Sequence, residues 1–234
     1  RTSFRARSIH YNGYGNARLK KAKIYADTVV QIALQLAYRK VHGKFGPIYE
    51  TASTRKFFHG RTETVRGLTK EMKAFGTGVF NGITVEEQTE LFKKAYDAHN
   101  TLMAEAMEGK GCDRHLYGLR KTLDLLNSGG NCQRKLALPA LYTDEAWRQS
   151  GGDGNFDLST SFIGYNDNGS YGYVCAMKKG GYGTFYKIFP NSIQLSITDY
   201  TDSTSDLEAY GAAIQWVFNH LSAIIDRLES SSKL

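Results

Sequence analysis

Cysteine and proline are scarce in this sequence of 234 residues, which contains three of each. Cys112, Cys132 and Cys175 form no CxxC pair, and no two of the six histidines stand at metal-ligand spacing. The pattern therefore predicts neither a disulfide framework nor a metal site, and it favours a reducing intracellular compartment. No run approaches the roughly 18 apolar residues of a membrane span, so none is predicted.

Several catalytic motifs are also missing. The sequence has no Walker motif, no GxGxxG and no GxSxG, and Gly181-Tyr182-Gly183 is interpreted as a turn. Each histidine is interpreted as structural or solvated, and no general base stands out. What remains is 41% hydrophobic and 23% charged, a composition typical of a globular protein with a core.

Acidic residues are fewer than basic ones, 23 against 30, which gives a formal net charge of +7. An excess of positive charge favours an anionic partner, either nucleic acid or a small phosphate-bearing molecule. The basic residues are dispersed and match no nucleic-acid-binding motif, so a nucleic-acid partner is not predicted.

Hydrophobic periodicity predicts helices over 27–42, 64–80, 85–108, 112–127, 143–149 and 206–229. Asp27 is assigned as the N-cap of the first and Gly43 as its end, whereas Thr84 and Glu87 form a capping box. In the helix over 112–127 the apolar side carries Leu116, Leu119, Leu123 and Leu126, with Gly129-Gly130 after it.

Short runs rich in β-branched and aromatic residues predict strands over 4–11, 156–165, 171–177, 183–189 and 192–200, with a hairpin connection at 178–181. Together these elements predict one α/β domain, in which helices pack on a mixed or antiparallel sheet.

Between residues 49 and 66 the sequence reads YETASTRKFFHGRTETVR, which combines four cations with six hydroxyl residues. Such a mixture suits a carboxylate or phosphate, and the alternative is a solvated polar loop. A second basic cluster, Arg18, Lys20, Lys21 and Lys23, precedes a helix N-terminus, where it predicts either a phosphate site or a solvated loop.

Ser159-Thr160-Ser161 lies inside a predicted strand, so Ser159 and Ser161 share one face and Thr160 has the other. Two hydroxyls on one face could bind a carboxylate or donate to an oxyanion. The alternative is ordinary strand polarity.

Five segments, YETASTRKFFHGRTETVR, LSTS, IALQLAY, GCDRHLYGL and GGYGTFY, resemble the choline/carnitine acyltransferase family from about Tyr14 to the terminus. The resemblance implies a fold related to chloramphenicol acetyltransferase and the C-terminal half of a two-half enzyme. Residues 1–229 would form this domain, and residues 230–234 an exposed tail that ends in the peroxisomal import tripeptide Ser232-Lys233-Leu234, read by the import receptor.

The family moves acyl groups between coenzyme A and carnitine. By resemblance, Tyr49, Thr62 and Arg114 bind the carnitine carboxylate, and the presence of Thr62 and Arg114 favours carnitine over choline. Ser159 and Ser161 match the family's Ser-Thr-Ser motif at the carnitine site, with Ser161 as the oxyanion donor.

For coenzyme A, a co-substrate rather than a resident cofactor, Lys20 and Asp27 match family positions. The family's other lysine is Asn16 here, and Arg18, Lys21 or Lys23 could replace it.

GGDGNFDLSTSFIGY is most similar to the octanoyl-transferring, peroxisomal branch of the family. Phe162 replaces the usual Gln, and Gly172 aligns with the position that sets acyl length, which implies medium-chain substrates. The alternatives are an acetyl-transferring, mitochondrial member and a non-catalytic module that binds coenzyme A or another anion. No residue matches the family's catalytic His in its His-x-x-x-Asp context, so the resemblance implies that the N-terminal half supplies it and that this portion alone is inactive.

Overall fold

The computed structural model of the chain describes residues 3–128, 135–165 and 172–231. The helices are α1 (Asn16–Lys21), α2 (Ala26–His42), α3 (Lys70–Asn81), α4 (Val85–Met107), α5 (Asp113–Ser128), α6 (Glu145–Gln149) and α7 (Leu207–Ser231). The strands are β1 (Phe4–Tyr11), β2 (Ile48–Ser53), β3 (Thr62–Val65), β4 (Leu158–Gly164), β5 (Tyr182–Ile188) and β6 (Ile193–Tyr200).

The six strands form one sheet in the order β1-β6-β5-β4-β2-β3. β2 pairs with β4, and β4 with β5, in parallel, whereas the pairs β1–β6, β5–β6 and β2–β3 are antiparallel. The predicted fold class, α/β with helices packed on a mixed sheet, is confirmed.

α2 lies at the centre of the helical layer, and every residue from Thr28 to Tyr38 is buried. It ends at Gly43 in the left-handed conformation, as predicted, with φ 69°. Its predicted N-cap is wrong. Tyr25 holds the cap position, while Asp27 lies in the first turn, where its carboxylate accepts a hydrogen bond from Tyr186 and is not available to cap the helix.

α7 packs against the same side of the sheet as α2. Its apolar positions Tyr210, Ile214, Val217 and Leu221 are buried, as the spacing predicts, and the Tyr210 ring stacks on that of Tyr182 at 4.1 Å between centroids. The capping box between Thr84 and Glu87 is also confirmed at the start of α4.

The predicted helix over 64–80 begins too early. Thr64 and Val65 belong to β3, and α3 starts at Lys70, where the Thr69 hydroxyl accepts a hydrogen bond from the N–H of Met72. Pairing with β2 determines the conformation of this segment, an effect of tertiary structure that local periodicity does not contain.

No strand forms over residues 172–177. This segment crosses one face of the sheet, where the carbonyls of Val174 and Ala176 accept hydrogen bonds from the side chains of Thr198 and Tyr200. Gly183 permits the crossing, because a Cβ atom there would lie 1.8 Å from the Val174 carbonyl oxygen.

Two turns predicted between residues 178 and 183 differ from the structure. The turn at 178–181 connects the crossing segment to β5 rather than joining two strands. Tyr182, interpreted as part of a turn, lies inside β5, as does Gly183, which the strand prediction over 183–189 already included.

α5 follows its predicted bounds closely, but no part of the chain that the structure describes buries its leucine side. No residue of α5 is buried, and Leu119, Leu125 and Leu126 are at least half exposed. Gly129, Gly130 and Cys132 lie outside the described residues, as does the tripeptide Ser232-Lys233-Leu234. Ser230 and Ser231, assigned to the tail, belong to α7 and are exposed.

Candidate functional site

The polar stretch from 49 to 66 is a β-hairpin rather than a loop. β2 and β3 pair over four residues, and at the tip the N–H of Thr54 donates to the Arg61 carbonyl at 3.0 Å. The hairpin disperses the four cations, since Arg55, Lys56 and Arg61 are exposed at the tip and Lys56 pairs with Glu108. The stretch therefore does not form one cationic pocket.

Tyr49, Thr62 and Arg114 come together at the base of this hairpin. The Arg114 guanidinium donates through Nε to the Thr62 carbonyl at 3.0 Å and through Nη2 to the Thr62 hydroxyl at 3.1 Å. The same Nη2 lies 3.3 Å from the Tyr49 hydroxyl. The structure thus assembles three predicted residues that are separated by up to 65 positions in the sequence.

The start of α5 holds Arg114 in place. The Glu63 carboxylate accepts the N–H of Arg114 at 3.3 Å and that of Thr64 at 2.6 Å, which ties the helix N-terminus to β3. Gly111 makes this approach possible, because a Cβ atom there would lie 2.2 Å from Cγ of Glu63. A carboxylate at a helix N-terminus is also favoured by the free N–H groups.

A cleft of about 510 Å³ opens beside Arg114. Its walls include five aromatic side chains and six charged ones. The aromatic residues are Tyr49, Tyr117, Tyr142, Trp147 and Phe156, and the charged residues are Asp113, Arg114, Arg120, Lys121, Asp124 and Asp153.

Every carboxylate of this cleft is paired with a cation other than Arg114. Arg120 lies 3.3 Å from Asp153, Lys121 lies 3.8 Å from Asp124, and Asp113 is bound by Arg66 from outside the lining. In the described part of the chain, Arg114 has only neutral acceptors for its guanidinium. Its positive charge is therefore available for an anion.

Ser159 and Ser161 lie on the same face of the sheet as Tyr49. Ser159 is the registered partner of Tyr49 across the parallel pairing of β2 and β4, and Ser161 is the partner of Phe185 on β5. Registered partners point to the same face. Ser159 is buried and Ser161 is half-buried, so the second hydroxyl is the more accessible one.

Thr160 points to the opposite face. Its hydroxyl donates to the Tyr49 carbonyl at 2.8 Å and accepts from Gln31 of α2 at 2.9 Å. The alternation predicted for Ser159-Thr160-Ser161 is thereby confirmed.

Gly172 lies against Phe185, near Ser161. A Cβ atom at Gly172 would lie 2.2 Å from Cε1 of the Phe185 ring, so any larger residue requires that ring to move. Since Phe185 and Ser161 are register partners, the size of residue 172 affects the space beside Ser161.

The residues predicted for coenzyme A do not form one cluster. Lys20 and Lys21 are exposed on α1, and Lys23 is exposed with φ 57°. Arg18, proposed as a replacement for the missing lysine, instead binds α7, donating to the Ser222 hydroxyl at 2.8 Å and pairing with Asp226 at 2.6 Å.

The Asp27 carboxylate faces the core, unlike the lysines, which are at the surface. Its pKa is raised to about 7, first by burial and then by the charge of Glu50, while the hydrogen bond from Tyr186 lowers it.

A buried ion pair lies next to Asp27 and was not predicted from the sequence. His99 of α4 lies 3.0 Å from Glu50 of β2, and both side chains are almost fully buried. Burial alone lowers the pKa of His99, but the hydrogen bond and charge of Glu50 outweigh it and raise that pKa above its ordinary value. No local spacing joins residues 50 and 99, so no motif could have revealed the pair.

Within the described ranges, no group of three His, Cys, Asp or Glu side chains is arranged to hold a metal ion. In the same residues, no helix has the length and apolar character needed to cross a membrane.

Comparison with known proteins gives consistent matches. The family model described as Choline/Carnitine o-acyltransferase matches residues 2–216. Peroxisomal carnitine O-octanoyltransferase of Bos taurus is 41% identical over 179 residues, which are 76% of this chain and 28% of that protein. The human protein of the same name is 40% identical over the same shares.

Mitochondrial carnitine O-acetyltransferase of Saccharomyces cerevisiae is 29% identical over 229 residues, covering 96% of this chain and 32% of that protein. The chain thus spans about a third or less of the length of these relatives. A model match over nearly all of the sequence is sufficient to assign the family. The chain belongs to the choline/carnitine O-acyltransferase family.

Proposed function

We propose that this chain is the substrate-binding C-terminal portion of an acyltransferase that moves medium-chain acyl groups reversibly between coenzyme A and the hydroxyl of carnitine. The observation that carries the proposal is Arg114, a cation with neutral partners in a cleft whose carboxylates are all paired. A substrate carboxylate fits that surplus charge.

Carnitine offers a carboxylate, a hydroxyl and a quaternary ammonium. In the proposed complex the carboxylate accepts hydrogen bonds from Arg114, Thr62 and Tyr49, at about 1.5–3 kcal/mol for each bond to a charged group. Choline has no carboxylate, so this receptor favours carnitine.

In the reaction, the carnitine oxygen attacks the thioester carbonyl carbon of acyl-coenzyme A. The new C–O bond forms, the C–S bond breaks, and the sulfur leaves with the proton that the hydroxyl gives up. Negative charge develops on the carbonyl oxygen during the attack. In this proposal the Ser161 O–H donates a hydrogen bond to that oxygen. One such donor typically contributes about a hundred- to a thousand-fold in rate.

The proposed general base is a histidine of the N-terminal half, a segment or partner outside this chain. A positioned base contributes about a hundred- to ten-thousand-fold, so this chain alone is expected to be inactive. The relatives are roughly three times as long as this chain, which supports the proposal that a further segment supplies the base.

For coenzyme A we retain Lys20, Lys21 and Lys23 as the phosphate-binding residues, because all three are exposed near the start of α2. Asp27 remains in the proposed site with a different role. Because its pKa is raised to about 7, this carboxyl group is partly protonated near neutral pH and can then donate a hydrogen bond.

Medium-chain specificity and peroxisomal location are the finer parts of the proposal. The octanoyltransferases named above support both. Gly172 supports the chain length, since the absence of a side chain leaves Phe185 undisturbed beside Ser161. A mitochondrial acetyltransferase is the alternative that the yeast relative favours.

The test is an acyl-transfer assay of the full-length enzyme with acetyl-, octanoyl- and palmitoyl-coenzyme A, each offered carnitine or choline. We expect octanoyl transfer to carnitine to be fastest and transfer to choline to be negligible. In Gly172→Met the preference should shift towards acetyl, because the new side chain and the displaced Phe185 fill the acyl space.

Equal use of choline would overturn the carboxylate receptor. A pure acetyl preference of the wild-type enzyme would overturn the role of Gly172 and favour the acetyltransferase alternative. No transfer to either acceptor would favour a non-catalytic module.

A further inference from the structure

Arg66 makes several short polar contacts beside the candidate cleft, yet it does not line the cleft itself. It binds Asp113 with two parallel hydrogen bonds, Nε to Oδ2 at 2.8 Å and Nη2 to Oδ1 at 2.7 Å. The third nitrogen, Nη1, donates to the Ser150 carbonyl at 2.6 Å. All three guanidinium nitrogens are therefore engaged by groups of the protein.

The surroundings hold this guanidinium rigidly. It lies 5.3 Å from the centre of the Trp147 ring and 5.4 Å from that of Phe156. The side chains of Arg66 and Asp113 are only 26% and 15% exposed. A planar bidentate pair in partial burial is stronger and less screened by salt than an exposed one.

The pair of Arg66 and Asp113 matters because it changes the balance of charge in the cleft. The lining contains three cations and three carboxylates, and would have no net charge without a contribution from outside. Arg120 and Lys121 neutralise two of the carboxylates, and Asp113, the residue next to Arg114, is the third. Within this lining, the engagement of Asp113 by Arg66 therefore leaves Arg114 without a competing carboxylate.

We infer that Arg66 is a positioning residue that acts through Asp113: it keeps that carboxylate from pairing with Arg114 and from repelling the substrate carboxylate. This inference deepens the proposed function and rests on it. It assigns Arg66, which makes no contact with the substrate, a part in selecting a carboxylate-bearing acceptor. An unpaired carboxylate beside an anion site weakens binding by like-charge repulsion.

The inference predicts a selective change in the kinetic constants of the full-length enzyme. Arg66→Gln releases Asp113 and should raise the KM for carnitine about tenfold, a typical effect of one charge at short range. The KM for acyl-coenzyme A and kcat should change much less. Adding Asp113→Asn to this variant removes the released charge, and should bring the KM for carnitine back to within about threefold of wild type.

Asp113→Asn alone should leave the KM for carnitine within about threefold, because the neutral amide cannot compete for Arg114. This variant keeps the proposal testable even if Arg66→Gln fails to fold. Arg148→Gln is the matched control, since Arg148 makes the same bidentate pair with Glu145 on α6 but lies outside the cleft, and it should change nothing.

Two results would overturn the inference. If the double variant is as impaired in carnitine KM as Arg66→Gln, or if Asp113→Asn alone is equally impaired, the pair merely supports the local structure. Arg114→Ala is assayed alongside: if it leaves the KM for carnitine unchanged, the proposed carboxylate receptor itself is wrong, which is a separate failure.

Discussion

At the scale of single residues, Asp27 has a strongly altered pKa. It faces Glu50 and Tyr186, and the neighbouring His99 is held by Glu50. With a pKa of about 7 instead of 3.8, Asp27 keeps its proton in the folded chain under conditions where the unfolded chain has lost it. The protonated carboxyl avoids placing a second negative charge beside Glu50 in a buried site.

This difference predicts a pH dependence of stability. Because the folded-state pKa of Asp27 is raised, its contribution is fully present below about pH 4 and is lost as the pH rises towards 7, with a slope of up to roughly 1.4 kcal/mol per pH unit. The raised pKa of His99 acts in the same direction at higher pH. Asp27→Asn removes only the first contribution.

The measurement is urea unfolding of the 234-residue chain and of Asp27→Asn at pH 5, 6 and 7. We expect the free energy of unfolding of the wild type to fall relative to that of the variant over this range. A difference that stays constant with pH would show that Asp27 titrates normally in the folded chain.

The candidate site residues were predicted from the sequence, whereas the residue pairs that support them were not. Resemblance to the family pointed to Tyr49, Thr62 and Arg114, and strand alternation placed Ser159 and Ser161 on one face. The pairs that support them, Arg66 with Asp113 and Glu50 with His99, join residues about fifty positions apart. Such pairs depend on how the hairpin packs against α4 and α5, and no local pattern predicts that packing.

At the scale of elements, the junction between β2 and β4 is short. Only Ile48 with Leu158 and Tyr49 with Ser159 are in register, yet this junction places the base of the hairpin beside the strand that carries Ser159 and Ser161. The Thr160 hydroxyl reinforces it by bonding to the Tyr49 carbonyl on one side and to Gln31 on the other.

We therefore expect Thr160→Val to destabilise the chain by about 1–3 kcal/mol, because it keeps the shape of the side chain and leaves two buried polar groups without their partner. Urea unfolding measures this loss directly. Thr122→Val on the exposed helix α5 is the control and should stay within about 0.5 kcal/mol of wild type. Equal effects of the two substitutions would contradict the role given to Thr160.

Elements with strong periodicity were predictable, and elements determined by their neighbours were not. α2, α4 and α7 bury the faces that their sequences indicate. β2 and β3 are polar because one face lines the candidate site, so they lack the alternation of an ordinary strand. Residues 172–177 have strand composition but make their hydrogen bonds to side chains across the sheet.

At the scale of the whole molecule, the chain carries one part of the proposed site, and the proposal assigns the rest to another segment. The described portion brings Arg114 together with the hydroxyls of Tyr49 and Thr62, and places Ser159 beside Tyr49. The general base is assigned to the N-terminal half. α5, which carries Arg114, buries none of its residues within the described chain, and polar contacts such as that of Glu63 with the Arg114 N–H connect it to the sheet.

The central claim is that Arg114 binds the carboxylate of the acceptor and thereby selects carnitine over choline. Isothermal titration of the full-length enzyme with carnitine and with choline tests it directly, in wild type, Arg114→Ala and the control Arg148→Ala. We predict that wild type and control bind carnitine at least about tenfold more tightly than choline, as one charged hydrogen bond allows, and that Arg114→Ala loses this preference. An unchanged preference in Arg114→Ala would contradict the account.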